Sequence, residues 1–181
     1  MKISLAQINS CLGNFSYNSE RMLRYVHKAY NNGSDLVIFP ECSLFGYHPV
    51  DLLERESIVD AQLKELERFA KKAPSDIGIF CGAITKFEKP GKNYNNSAIF
   101  IHKNKVSRIF AKQLLPTYDV FDEARHIEPG RTEKNIFKFK NFKILVTICE
   151  DIWAWTLPGE QEKSRYSTNP IKDLKVKDID L

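Results

Sequence analysis

What the 181-residue sequence has little of narrows its role before any motif is read. No apolar run approaches the ~20 residues that a membrane-spanning helix requires. Met1 leads directly into a strand pattern, with no basic stretch and apolar core behind it, so no signal peptide is visible. Cysteine is sparse: the four residues, Cys11, Cys42, Cys81 and Cys149, include no CxxC pair and no Cys/His cluster. A zinc site and a disulfide framework are therefore both disfavoured, and reduced thiols are expected. Positive charge is mild at +4, and Lys134, Lys138, Lys140, Lys143, Lys172, Lys175 and Lys177 are interleaved with apolar positions. Such spacing describes solvated faces of strands and a helix, not the dense basic stripe of a nucleic-acid binder. Glycine numbers only 8, with no glycine-rich phosphate loop. The expectation is a cytoplasmic enzyme with no nucleic-acid or membrane partner.

What is present reads as one α/β domain with a substantial core. A strand over about 2–8 precedes a helix over roughly 18–32, in which Met22, Leu23, Val26, Ala29 and Tyr30 recur at helical spacing. Asn18 or Ser19 can cap it, and Gly33 suits its C-terminal stop. A second helix is predicted over about 57–72. Three strands follow at 77–84, 97–102 and 106–111, the last two joined by a tight turn at Lys103-Asn104-Lys105. The long loop from Gln113 to Asn135 is of the kind that carries function. Another hairpin is expected at 136–139 and 142–148, then a polar remainder with a weakly helical stretch near 171–176.

Three of these strands end in reactive groups. Asp35-Leu36-Val37-Ile38-Phe39 runs into Pro40-Glu41, Val106 to Ala111 runs into Lys112, and Ile144-Leu145-Val146-Thr147-Ile148 runs into Cys149-Glu150-Asp151. Open α/β sheets place their sites at the carboxyl ends of strands. An isolated cysteine in an Ile/Val strand is more often a core residue. Here its strand-end position, the two hydrophilic residues after it and the companion Glu and Lys favour a nucleophile.

FPE (Phe39 to Glu41), KQLLPTYDVFDEARHIEPG (Lys112 to Gly130) and ICEDIW (Ile148 to Trp153) together resemble the carbon–nitrogen hydrolase (nitrilase) superfamily. The last two segments look most like the glutamine amidotransferase domains of glutamine-dependent NAD synthetases. The resemblance implies an α-β-β-α sandwich and a Glu–Lys–Cys site acting on glutamine or another small amide. It implies no cofactor for the hydrolase domain itself; ATP and Mg would belong to a separate synthetase domain. It also implies homo-oligomers that assemble through the sheet sandwich.

A carboxamide is a poor electrophile, and a thiol ester splits its hydrolysis into two easier steps. Cys149 is the expected nucleophile and Glu41 the general base. By the resemblance, Lys112 and the backbone N–H of Glu150 stabilise the oxyanion, and Glu123 is a second acid set against the lysine. Tyr118 is expected to line the substrate pocket. The nearby Lys112 ammonium is expected to favour the Cys149 thiolate. A rival Cys–His dyad using His48 has no recognisable spacing. The family pattern continues past ICEDIW into a further strand and a substrate-binding loop, whereas here Asp178 to Leu181 read as the opening of that strand. Residues 1–181 are thus expected to form a hydrolase domain short of its C-terminal part, with no synthetase domain. Two alternatives stay open: a stand-alone amidase and a catalytically silent remnant.

Overall fold

The computed structural model describes residues 1–131, 135–154, 166–172, 174, 175, 177 and 179–181. Strand β1 (Ile3–Leu5) is followed by helix α1 (Phe15–Asn31), strand β2 (Leu36–Ile38), helix α2 (Glu56–Lys72) and strands β3 (Gly78–Lys86), β4 (Tyr94–His102) and β5 (Lys105–Ala111). These strands form one sheet in the order β1-β2-β3-β4-β5. The pairs β1–β2 and β2–β3 are parallel and are connected through the helices, whereas β3–β4 and β4–β5 are antiparallel. A separate hairpin, β6 (Ile136–Phe139) and β7 (Phe142–Leu145), lies outside this sheet. No helix among the described residues is long and apolar enough to cross a membrane.

Alternation along β3 and β4 explains the layering. Ile79, Cys81, Ala83, Ile99 and Ile101 face the helices and pack with Met22, Val26, Leu66 and Phe69. Phe80 and Phe100 project from the opposite face and meet Phe139 and Ile144 of the hairpin. Ring centroids of Phe80–Phe100 and Phe100–Phe139 lie 5.0 and 5.1 Å apart, within the range where tilted aromatic pairs attract. Both faces of the central strands are buried, so they read as continuous apolar runs. Helices, main sheet and hairpin make three layers of the expected sandwich; no second helical layer lies among the described residues.

Turn chemistry sets the hairpins. Lys103 and Asn104, and likewise Lys140 and Asn141, adopt positive φ between directly paired strand ends, the geometry of two-residue turns that match sheet twist. Asn104 Nδ2 also donates to the Ala73 carbonyl at 2.6 Å, capping the end of α2. Lys140 Nζ reaches Asp35 Oδ1 at 2.5 Å and fastens the hairpin turn to the start of β2.

Some local expectations need correction. Asn14 caps α1, its side chain accepting from the Tyr17 N–H at 3.3 Å, so the helix starts a turn earlier than 18. Asn18 and Ser19 lie buried inside it. Asn18 instead bonds the Cys11 backbone and the Leu44 carbonyl, joining the loop after β1 to the turn after Glu41. Strand β7 stops at Leu145, because Leu145 pairs with Ile136 and β6 begins there. Of the 171–176 stretch, 173 and 176 lie outside the described residues; the others form turns rather than a helix. Asp178 also lies outside them. Asp180 and Leu181 do exchange backbone hydrogen bonds with Lys143 and Leu145, so the chain end runs beside β7.

Gln62 of α2 performs a strand's task. β2 ends opposite Phe80, the turn at Ser43 and Leu44 serves Gly82, and beyond it β3 has no strand neighbour on that side among the described residues. There Gln62 Nε2 donates to the Ile84 carbonyl and Gln62 Oε1 accepts from the Ile84 N–H, both at 2.8 Å, in a fully buried setting. Removing both partners strands two buried backbone groups at roughly 1–3 kcal/mol each. Gln62→Leu, close in volume, should lower stability by about 2–4 kcal/mol in urea melts, whereas a loss under about 0.5 kcal/mol would mean the pairing is dispensable.

Candidate active site

The ends of β2 and β5 and the segment after β7 meet over one region. Beyond β2 the chain turns sharply at residues 41–45, with Cys42 at φ 51°. Gly82 of β3 allows this turn to lie against the sheet. A Cβ at Gly82 would sit 2.1 Å from the Cys42 nitrogen and 2.7 Å from the Glu41 carbonyl carbon, a clash with rigid backbone. Ser43 Oγ then accepts from the Gly82 N–H at 2.9 Å. Glu41 is thereby aimed inward.

Lys112 follows the last residue of β5 and is 1% exposed. Its Nζ lies 2.8 Å from Glu41 Oε1 and 2.9 Å from both oxygens of Glu123. Burial opposes a charged lysine, but the two carboxylates more than offset it and hold the ammonium well above its ordinary pKa. Glu123 comes from a short 3-10 helix (Glu123–Arg125) within the long loop. Burial pushes its carboxyl up, and Lys112 only partly counters that.

Cys149 opens another 3-10 helix (Cys149–Ile152), four residues beyond the end of β7 rather than at a strand terminus, with φ at 42°. Positive φ at a residue other than glycine is uncommon and tends to persist where the surroundings over-determine it. Asp151 supplies that constraint. Its carboxylate is 1% exposed and accepts three backbone N–H groups at 2.9 Å, from Gln113, Leu114 and Ile148. One side chain therefore fastens the segment after Lys112 to the residue before Cys149.

The thiol faces the Glu41 carboxylate, and both residues line a cavity of about 230 Å³ between the main sheet and the hairpin. The thiolate expectation requires correction. Partial burial pushes the Cys149 thiol up, the nearby Glu41 carboxylate adds to this, and Lys112 is outweighed. The resting group is a thiol. No histidine figures among the charges acting on it; the His48 ring instead lies tilted against that of Tyr47, with centroids 4.8 Å apart.

Glu150 is 4% exposed, its carboxylate accepting from Tyr118 Oη at 3.0 and 3.1 Å and from Tyr166 Oη at 2.6 Å. All six expected site residues are thus clustered. Sequence reasoning missed Asn96, Asp151 and Tyr166. Asn96 carried a signal: Asn95-Asn96-Ser97 are three polar residues in an otherwise apolar strand, and all are buried.

Comparison with known proteins identifies the family and the fold. The family model for carbon-nitrogen hydrolase matches residues 2–157. The chain is 39% identical over 183 aligned residues to glutamine-dependent NAD(+) synthetase of Synechocystis sp., covering 99% of this chain and 32% of that protein. It is 36% identical to the Thermotoga maritima enzyme of the same name, covering 84% of this chain and 26% of that one. The chain thus spans about a third or less of these relatives. The structure of glutamine-dependent NAD+ synthetase from Acinetobacter baumannii superposes with a TM-score of 0.77 at 33% identity, over 84% of this chain and 28% of that one. An amidase from Nesterenkonia sp. shares the fold, with a TM-score of 0.70 at 20% identity over 84% of this chain and 56% of that one. Matched by its family model over most of its length, the chain belongs to the carbon–nitrogen hydrolase family.

Proposed function

We propose that this chain hydrolyses a carboxamide through a Cys149 thioester, that its substrate is the side-chain amide of glutamine, and that the ammonia serves NAD synthesis. The observation that carries the chemistry is a thiol and a carboxylate lining one cavity, with a buried ammonium 2.8 Å from that carboxylate. Glu41 takes the thiol proton as Sγ attacks the amide carbon. The oxyanion is stabilised by Lys112 and by the Glu150 backbone N–H. Collapse breaks the C–N bond as Glu41 returns the proton to the departing nitrogen, releasing ammonia and leaving the thioester. Water, deprotonated by Glu41, attacks the thioester; the C–S bond breaks, glutamate leaves and the thiol is restored. Each proton and charge in this sequence is handled by a named group. Tyr118 acts in this reading through its hydroxyl on the Glu150 carboxylate, and Glu123 holds Lys112 in place.

Glu150 favours an amino-acid amide over a simple one. A buried carboxylate beside the nucleophile, held by two neutral tyrosine hydroxyls, is a natural partner for an α-ammonium group. The synthetase relatives supply the remaining context. ATP, Mg and the synthetase domain belong to that longer assembly.

Ammonia and glutamate released from L-glutamine, measured against propionamide, test the reading. Cys149→Ala should abolish turnover and Glu41→Gln should lower kcat by about 10²–10⁴-fold. Failure of the wild-type chain to release glutamate, or full activity in Cys149→Ala, would sink it. Glu150→Gln should narrow the preference for glutamine over propionamide by roughly 10–100-fold, the worth of one charge-assisted contact. An unchanged preference would remove Glu150 from recognition.

Thiol accessibility yields a separate check. Burial pushes Cys81 up to about 12 and Cys42 higher than its ordinary value, and both are enclosed, whereas Cys149 and Cys11 are exposed. Brief iodoacetamide treatment of the native chain near pH 8, mapped by mass spectrometry, should modify Cys149 and Cys11 well before Cys42 and Cys81. Equal modification of all four would contradict the closed core.

A further inference from the structure

Glu41 has two oxygens and three neighbours competing for them, and Asn96 decides the allocation. Asn96 lies on β4, 3% exposed, directly across from Ile84. Its Nδ2 donates to Glu41 Oε1 at 2.6 Å, the oxygen that also accepts from Lys112 Nζ at 2.8 Å. The amide is not free to turn over. Cys42 Sγ donates to Asn96 Oδ1 at 3.7 Å, and burial keeps Cys42 a thiol and hence a donor. With Oδ1 so engaged, the Nδ2 end is the one that faces the Glu41 carboxylate. This fits an amide's inventory of one acceptor and two donors.

We propose that Asn96 is a positioning residue that, with Lys112, occupies Oε1 of Glu41 and so reserves Oε2 as the oxygen that receives the Cys149 proton. Lys112 alone cannot impose this, because its ammonium bonds either carboxylate oxygen equally well and is shared with Glu123. A second, directional donor on Oε1 removes the ambiguity. The buried Cys42 thiol thereby acquires a use: it fixes the amide that fixes the base.

The inference rests on the amide-hydrolase reading, but its test does not require turnover. Asn96→Leu keeps the side-chain volume and removes both donors. Without them Glu41 can turn both oxygens toward Lys112 and withdraw from the thiol. The charged groups acting on Cys149 are Glu41, Lys112 and Glu123, and the two carboxylates raise it. In Asn96→Leu the pH midpoint of Cys149 alkylation should therefore fall by about half a unit or more, while kcat for glutamine drops at least about tenfold and KM moves less than about threefold. Reactivity rises while turnover falls, a divergence that loss of fold does not produce. Cys42 and Cys81 must stay unmodified in the same maps, as they do in a folded chain.

A double-variant cycle separates positioning from general damage. In a Glu41→Gln background, adding Asn96→Leu should leave the Cys149 midpoint where Glu41→Gln alone puts it. An unchanged midpoint in the single Asn96→Leu variant, or a further shift in the double variant, overturns the proposal. If wild type released no glutamate, the glutamine reading would fail, yet the alkylation midpoints would still decide the role of Asn96.

Discussion

A lysine ammonium sealed from water governs this structure. Lys112 has no solvent to share its charge, and breaking a buried ion pair by removing one partner costs roughly 3–5 kcal/mol. Its position is thus tied to those of Glu41 and Glu123, which come from the end of β2 and from the long loop. The loop is organised because a carboxylate must reach the lysine; the 41–45 turn is sharp for the same reason. Gly82, Ser43, Asn18 and Asn96 can each be read as a device that lets backbone or side chain come close enough to complete this cluster.

The second anchor is Asp151, and it works by a different physics. Its carboxylate answers three backbone N–H groups, not a cation. Burial pushes its carboxyl up, and those donors pull against the shift. The two anchors divide the labour: Lys112 gathers side chains, and Asp151 gathers main chain. Between them the hairpin that leads into the Cys149 segment is held to the main sheet by its phenylalanines.

The reactive trio could be read from the sequence because each member follows an apolar run whose period reveals a strand. Both helices and the tight turn at Lys103-Asn104 were legible for similar reasons: helical spacing and turn residues are local signals. What was not legible is non-local. Whether Ile144 to Ile148 remains in a ladder depends on how far β6 extends, and no property of those five residues encodes it. Asn14 rather than Asn18 caps α1 because Asn18 is drawn to Cys11 and Leu44, partners that only the fold brings near. The charge state of Cys149 was misjudged for the same cause. The fold partly buries the thiol and sets two carboxylates near it, and together these outweigh the one lysine.

That resting charge state bears on durability. Peroxides oxidise thiolates to sulfenic acid and beyond, and a cysteine's susceptibility follows its thiolate character together with its exposure. A thiol that stands exposed yet protonated, facing a carboxylate, forms its reactive thiolate only when that proton is taken. Such a site tolerates an oxidising surrounding better than one that holds a permanent thiolate.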